Sequence, residues 1–145
     1  MRRTHPAPAE PEAAMSAEFR STTKVYLDDT DAQGIVYHSN YLKFFERART
    51  DYLDAHGVGL KGAQDRGFRF VVYAVEIKFH RAAVLGDRLE IVSRVARSSP
   101  FRLTFQQKAT RVGDPTAIST AKVEIVCIGP SGDLAEISHE LVALD

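Results

Sequence analysis

The hydrophobic pattern of the chain changes period once. Over residues 39–56 the apolar positions Tyr41, Phe44, Phe45, Ala48, Tyr52 and Leu53 recur at the 3, 4 and 7 spacing of a helix with one buried face, and Leu42 widens the stripe. Ser39 stands where an N-cap is expected and Gly57 where a C-cap is. Roughly 17 residues at 1.5 Å each make a rod of about 25 Å. A helix this aromatic has to be wrapped, and the strands that follow are the only wrapper the chain offers.

From Phe68 onward the period is two. Val71, Tyr73, Val75, Ile77 and Phe79 are expected on one face of a strand, with Glu76, Lys78 and His80 on the other. Gly86-Asp87 turns the chain; Leu89, Ile91, Ser93 and Val95 then point inward, and Ser99-Pro100 breaks the run. Phe101, Leu103 and Phe105 start a third inward face, Gly113-Asp114-Pro115 turns again, and Ala121, Val123, Ile125 and Cys127 mark the last long strand. Before the helix, residues 19–27 alternate as a first strand. After it, residues 60–66 read as a short helix closed by Gly67. The tail beyond Gly132 is open between a strand and a helical turn. One helix followed by four long antiparallel strands is an α+β design, a curved sheet around the helix.

Composition narrows the class. The chain has 145 residues, 44% of them hydrophobic, which suits one domain with its own core. Lys+Arg and Asp+Glu are 19 each, so no global field favours nucleic acid or an anionic membrane. No segment is apolar for long enough to span a bilayer. The single cysteine, Cys127, excludes an internal disulfide, fits a reducing, cytoplasmic setting and sits where a small buried hydrophobe is wanted. Residues 1–18 are rich in Ala, Pro and Glu and are expected to form a disordered extension, with Met15 an alternative start; residues 19–145 are expected to be the domain.

The chemistry gathers in residues 28–53. Asp31 follows the first strand, Gly34 offers a tight turn, and the amides from Tyr37 to Asn40 open the long helix, where the first N–H groups lack helical acceptors. A carboxylate held ionised by the helix dipole can attack an electrophilic carbon or activate water, and free amides can polarise its carbonyl. The competing reading of Asp31 is a turn residue bonding its own backbone. For His38 it is a helix-start side chain on backbone. Asp28, Asp29 and Asp31 lack the ligand spacing of a hard-cation loop, and no metal is expected.

The run D-T-D-A-Q-G-I-V-Y-H-S-N-Y-L-K-F-F-E-R-A-R, residues 29–49, resembles the signature of the hotdog-fold acyl-CoA thioesterases of the 4-hydroxybenzoyl-CoA thioesterase and YbgC-like group, with similarity continuing to about Cys127. The resemblance implies a hotdog fold and hydrolysis of acyl-CoA to a carboxylic acid and free CoA, without a cofactor, by a homodimer or homotetramer whose sites lie at the paired sheets. It implies Asp31 as the catalytic carboxylate, the Tyr37 amide facing the thioester oxygen, and His38 as a residue linked to activity. Glu46 and Arg49 match the pattern as well, as a local ion pair or near the acyl pocket. Gly34 belongs to the substrate loop. For the CoA phosphates, the basic residues Arg97, Arg102 and Lys108 around the Ser98-Ser99-Pro100 turn are the expected anchors. Phe44, Phe45, Tyr73 and Phe101 are candidates for the acyl pocket. The rivals are a thioesterase acting on acyl carrier protein and a hotdog that binds acyl groups, or serves in an envelope complex, without turnover.

Overall fold

The computed structural model describes residues 15–144. Five strands form one antiparallel sheet in the order β1-β3-β4-β5-β2: β1 Phe19–Lys24, β2 Arg69–Phe79, β3 Arg88–Ser99, β4 Arg102–Arg111 and β5 Ala117–Ile128. Between β1 and β2 come a 3-10 turn at Leu27–Asp29, the long helix α1 at Asn40–Ala55 and the short helix α2 at Gly59–Asp65.

The helix lies on one face of the sheet because both present apolar surface there. Phe44, Phe45 and Tyr52 of α1 are within 2% of full burial, as are Leu89, Ile91 and Val95 of β3 and Leu103 and Phe105 of β4, and all belong to one core. Tyr52 meets Phe105 edge to face at 5.6 Å and Phe19 of β1 at the same distance. Each large side chain so buried stabilises the fold by about 2–3 kcal/mol. A polar bolt runs through this apolar layer. Gln107 of β4 accepts from Arg49 of α1 at 3.0 Å and donates to the Phe45 carbonyl at 2.9 Å and to Ser93 Oγ at 3.0 Å.

Three expectations change and one open choice is decided. The extension called over residues 1–18 falls largely outside the described residues, but at its end Ser16 is buried and pairs with Val95 in both directions, its N–H donating at 2.7 Å and its Oγ accepting at 3.0 Å. Order therefore starts before β1. In β2 the register shifts between Val72 and Ala74, so the single face expected from Val71 to Phe79 is split. Tyr73 joins the outward face with Glu124, whereas Val75 pairs with buried Val123. The tail, left open between a strand and a helical turn, forms a single turn in which the Leu141 and Val142 N–H groups donate to the Ser138 carbonyl at 3.0 and 3.1 Å. It bridges at Leu134 and Val142 and buries Ile137, Leu141 and Val142 against the core. The first strand ends at Lys24, three residues early, because the chain bends into the 3-10 turn.

Candidate functional site

Residues 29–37 fold back on themselves as a small hairpin between β1 and α1. Its rungs are the Tyr37 N–H to the Asp29 carbonyl at 2.9 Å, a bridge between Thr30 and Val36, and the Asp31 N–H to the Ile35 carbonyl at 2.9 Å. The Gly34 N–H closes the tip on the Asp31 carbonyl at 3.0 Å. Gly34 has φ +78°, which is why glycine stands there; a Cβ would meet nothing within 4 Å, so the backbone and not crowding makes the demand. The far arm is fastened to the body by the Val36 N–H to the Ala83 carbonyl and an Ile35–Val84 bridge.

Asp31 therefore stands on one arm while the other arm runs directly into α1. Its Oδ1 accepts the Gln33 N–H at 2.8 Å, an Asx-turn contact that orients the carboxylate and occupies one of its two oxygens. The turn reading of Asp31 is thus true of half the group, and Oδ2 has no partner among the described residues. Asp29, two residues earlier, is buried and fully engaged: Oδ2 accepts the Tyr26 N–H at 2.8 Å and Oδ1 accepts Asn40 Nδ2 at 2.6 Å.

The expected oxyanion donor needs correcting. The Tyr37 N–H is spent on Asp29 as a hairpin rung and cannot face a substrate. The next two amides, of His38 and Ser39, have no acceptor among the described residues, and Ser39 caps α1 without a side-chain bond. Among the described residues the free donors at the positive end of α1 therefore begin at His38 and Ser39, and the Tyr41 N–H, one residue inside the helix, has no acceptor there either. The His38 side chain is exposed, 4.6 Å from the Tyr37 ring and 6.1 Å from Phe79.

Around them stands an aromatic wall that sequence reasoning did not single out. Phe79, at the end of β2, is 49% exposed and packs on His38 and, at 5.8 Å, on Tyr41. Burial pushes the Tyr41 hydroxyl up, against the smaller effects of a bond from Ala83 and of Arg111, and it stays neutral. The pocket candidates chosen from sequence lie elsewhere: Phe44 and Phe45 are sealed in the core, Tyr73 bonds Glu124 on the outward face, and Phe101 stands at the β3–β4 turn. The usable signal was the β2 alternation, which sets Phe79 on the helix side once the bulge is allowed for.

The expected basic anchors do not gather at Asp31. Arg97 donates to the carbonyls of Ile137 and Val142 and ties down the tail. Arg102 lies over the Tyr73 ring at 4.7 Å. Lys108 is on the sheet face away from α1, in a groove of about 430 Å³ with Lys78, Arg94, Lys122, Glu18 and Glu76. Glu46 is exposed on α1 and makes no ion pair with Arg49, which turns inward to Gln107 instead; burial lowers the Arg49 pKa, with Glu46 partly restoring it.

A family model described as the thioesterase-like superfamily matches residues 25–143. An acyl-CoA thioester hydrolase of Escherichia coli, YbgC, is 35% identical over 112 residues, 77% of this chain and 83% of its own. The acyl-CoA thioesterase YbgC of Haemophilus influenzae is 35% identical over 111 residues, 76% of this chain and 80% of its own. Of solved structures, a 1,4-dihydroxy-2-naphthoyl-CoA thioesterase from Synechocystis is similar with a TM-score of 0.80 at 25% identity, covering 86% of this chain and 92% of that one. A probable thioesterase from Bartonella henselae reaches 0.77 at 33%, covering 84% and 100%. The architecture is the α+β hotdog.

Proposed function

We infer that this chain, which belongs to the thioesterase-like superfamily, is a thioester hydrolase that cleaves acyl-CoA to a carboxylic acid and free CoA. The observation that supports this chemistry is that one small hairpin carries both the Asp31 carboxylate, with an oxygen left over from its turn bond, and, on the arm entering α1, the unpartnered His38 and Ser39 amides. An oxygen, from Asp31 itself or from a water it deprotonates, bonds to the acyl carbon. The carbonyl oxygen takes the negative charge and faces the two amides, where one such donor is typically worth about 3 kcal/mol. The C–S bond then breaks and CoA departs as a thiolate, a leaving group stable enough to need little acid assistance. On the direct route water then opens the acyl–Asp31 anhydride to release the acid; on the water route Asp31 gives the proton it took to the departing thiolate or to solvent. His38, Tyr37 and Phe79 line the approach. Gly34 shapes the loop that meets the substrate.

The active form we propose is a homodimer or homotetramer in a reducing, cytoplasmic compartment. β2 is an edge strand with its free side exposed, and Val71, Val72, Tyr73, Val75 and Phe79 are each 42–49% accessible along it. A long apolar edge of this kind pairs with another strand unless it is blocked. A second copy seated there brings its own surface beside Phe79 and His38. Light scattering that finds only monomer at micromolar concentration contradicts a shared site. Among the described residues, no helix is long and apolar enough to cross a membrane.

The deciding assay is free-thiol release from short, long and aromatic acyl-CoAs, run beside matched carrier-protein thioesters. Turnover of the CoA esters is the expected result. Binding of acyl-CoA without thiol release leaves a non-catalytic acyl binder as the better reading. Hydrolysis in heavy-oxygen water, followed by mass measurement of the protein, separates attack by Asp31 from water activation, because only an anhydride intermediate leaves label in the carboxylate.

A further inference from the structure

We propose that Asp29 and Asn40 form a positioning pair that fixes the distance between the reactive carboxylate and the amides that receive the oxyanion. The inference rests on the assignment of Asp31 above and adds a second layer to it.

Asp29 is 8% exposed and so is Asn40, and their side chains meet at 2.6 Å across eleven residues of sequence. A carboxylate closing its own 3-10 turn needs only one acceptor oxygen, and Asp29 meets that need with Oδ2 on the Tyr26 N–H. The bond from Oδ1 to Asn40 has no part in the turn. Asn40 is the first residue of α1, directly after the two unpartnered amides of His38 and Ser39. The Asp29 carbonyl also takes the Tyr37 N–H, and its own N–H donates to the Tyr26 carbonyl at 3.0 Å. Every polar atom of this residue is therefore spent on joining the end of β1, the base of the hairpin and the start of α1.

The consequence is geometric. Asp31 lies two residues beyond Asp29 on one arm, and His38 one residue beyond Tyr37 on the other. The Asp29–Tyr37 rung and the Asp29–Asn40 bond brace those arms at the point where they diverge, so the separation of acid and donors follows from them. By taking the Tyr37 N–H, Asp29 also decides that the free amides begin at His38. Two aspartates two residues apart thus divide the work: one is buried and holds the frame, and one is left with a free oxygen for chemistry.

A carboxylate and an amide are interchangeable as partners, and this makes the pair testable. Asn40→Asp sets two carboxylates against each other, and Asn40→Ala removes the donor without adding charge. A displacement of about 1 Å in a reacting group can lower turnover by about 100-fold. Both single variants are expected to lose 10- to 100-fold in kcat, with KM close to that of the unaltered protein. Adding Asp29→Asn to Asn40→Asp restores kcat: the amide introduced at 29 donates to the carboxylate introduced at 40, while its oxygen still accepts the Tyr26 N–H. All kcat values are taken per folded molecule, with circular dichroism and melting temperature recorded beside them.

A lower melting temperature with unchanged kcat in Asn40→Ala means the pair is merely structural and overturns the inference, as does failure of the double variant to regain kcat. Should Asn40→Asp not fold, Asn40→Ala decides alone. Asp31→Asn is run in parallel. If it keeps full kcat, the assignment of Asp31 fails; if it loses kcat while the Asn40 variants keep theirs, only the positioning role fails.

Discussion

Replacing Gln107 by leucine tests how α1 is held to the sheet, since this one side chain makes all three bonds of the polar bolt. Gln107 is 3% exposed, and its loss strands the Arg49 guanidinium, the Ser93 hydroxyl and the second lone pair of the Phe45 carbonyl. The bond from the charged guanidinium is worth about 1.5–3 kcal/mol and the two neutral ones about 1 kcal/mol each. Leucine returns about 1 kcal/mol by burying apolar surface. The net loss is about 2.5–4 kcal/mol, which at roughly 3 °C per kcal/mol lowers the melting point by about 10 °C. Arg49 sets the sign of a second step. Its pKa is already lowered by burial, so it is a costly group to leave unpaired. Adding Arg49→Met to Gln107→Leu should therefore recover most of the loss. Thermal unfolding followed by circular dichroism at one fixed protein concentration measures both, because association also shifts the apparent melting point. A Gln107→Leu variant as stable as the unaltered protein, or a double variant less stable than the single, refutes the bolt.

Three further outcomes are expected. Gly34→Ala costs about 1–2 kcal/mol in urea unfolding, because the φ of +78° is strained for any residue with a Cβ even though the space is open; a neutral result contradicts the turn geometry. Ser16→Ala leaves the buried Val95 N–H without its acceptor and lowers stability by about 1–3 kcal/mol, whereas a segment that does not dock shows no change. Burial raises the pKa of Cys127, so its thiolate is scarce at pH 8; a colorimetric thiol reagent should react slowly with the folded protein and promptly, one thiol per chain, in denaturant.

Much of this was legible in the sequence because it depends on local period. The helix stripe, the turns at Gly34 and Gly86 and the alternation of β3, β4 and β5 follow from spacing alone, and residues 29–49 carry the family. What escaped depends on pairing between distant segments. Which amide is free at the start of α1 is decided by a rung to Asp29 from a segment eight residues away, and the Tyr37 amide that the resemblance implied is the one that rung occupies. The bulge at Tyr73 exchanges the faces of β2, and no local signal marks it. Arg97 is chemically apt for a phosphate, yet the tail that occupies it arrives 40 residues later. Arg49 looked like half of a helical ion pair because Glu46 is three residues away, whereas its actual partner comes from β4.

Whether Asp31 does chemistry or only shapes its turn is decided by kcat of Asp31→Asn. Asparagine keeps the size of the side chain and can still accept the Gln33 N–H, so the hairpin survives while the charge is lost. With acyl-CoA at saturation, kcat should fall by at least about 100-fold, the lower range for a lost acid–base group, while a non-hydrolysable acyl-CoA analogue binds as before. A folded Asp31→Asn protein with undiminished kcat contradicts the account.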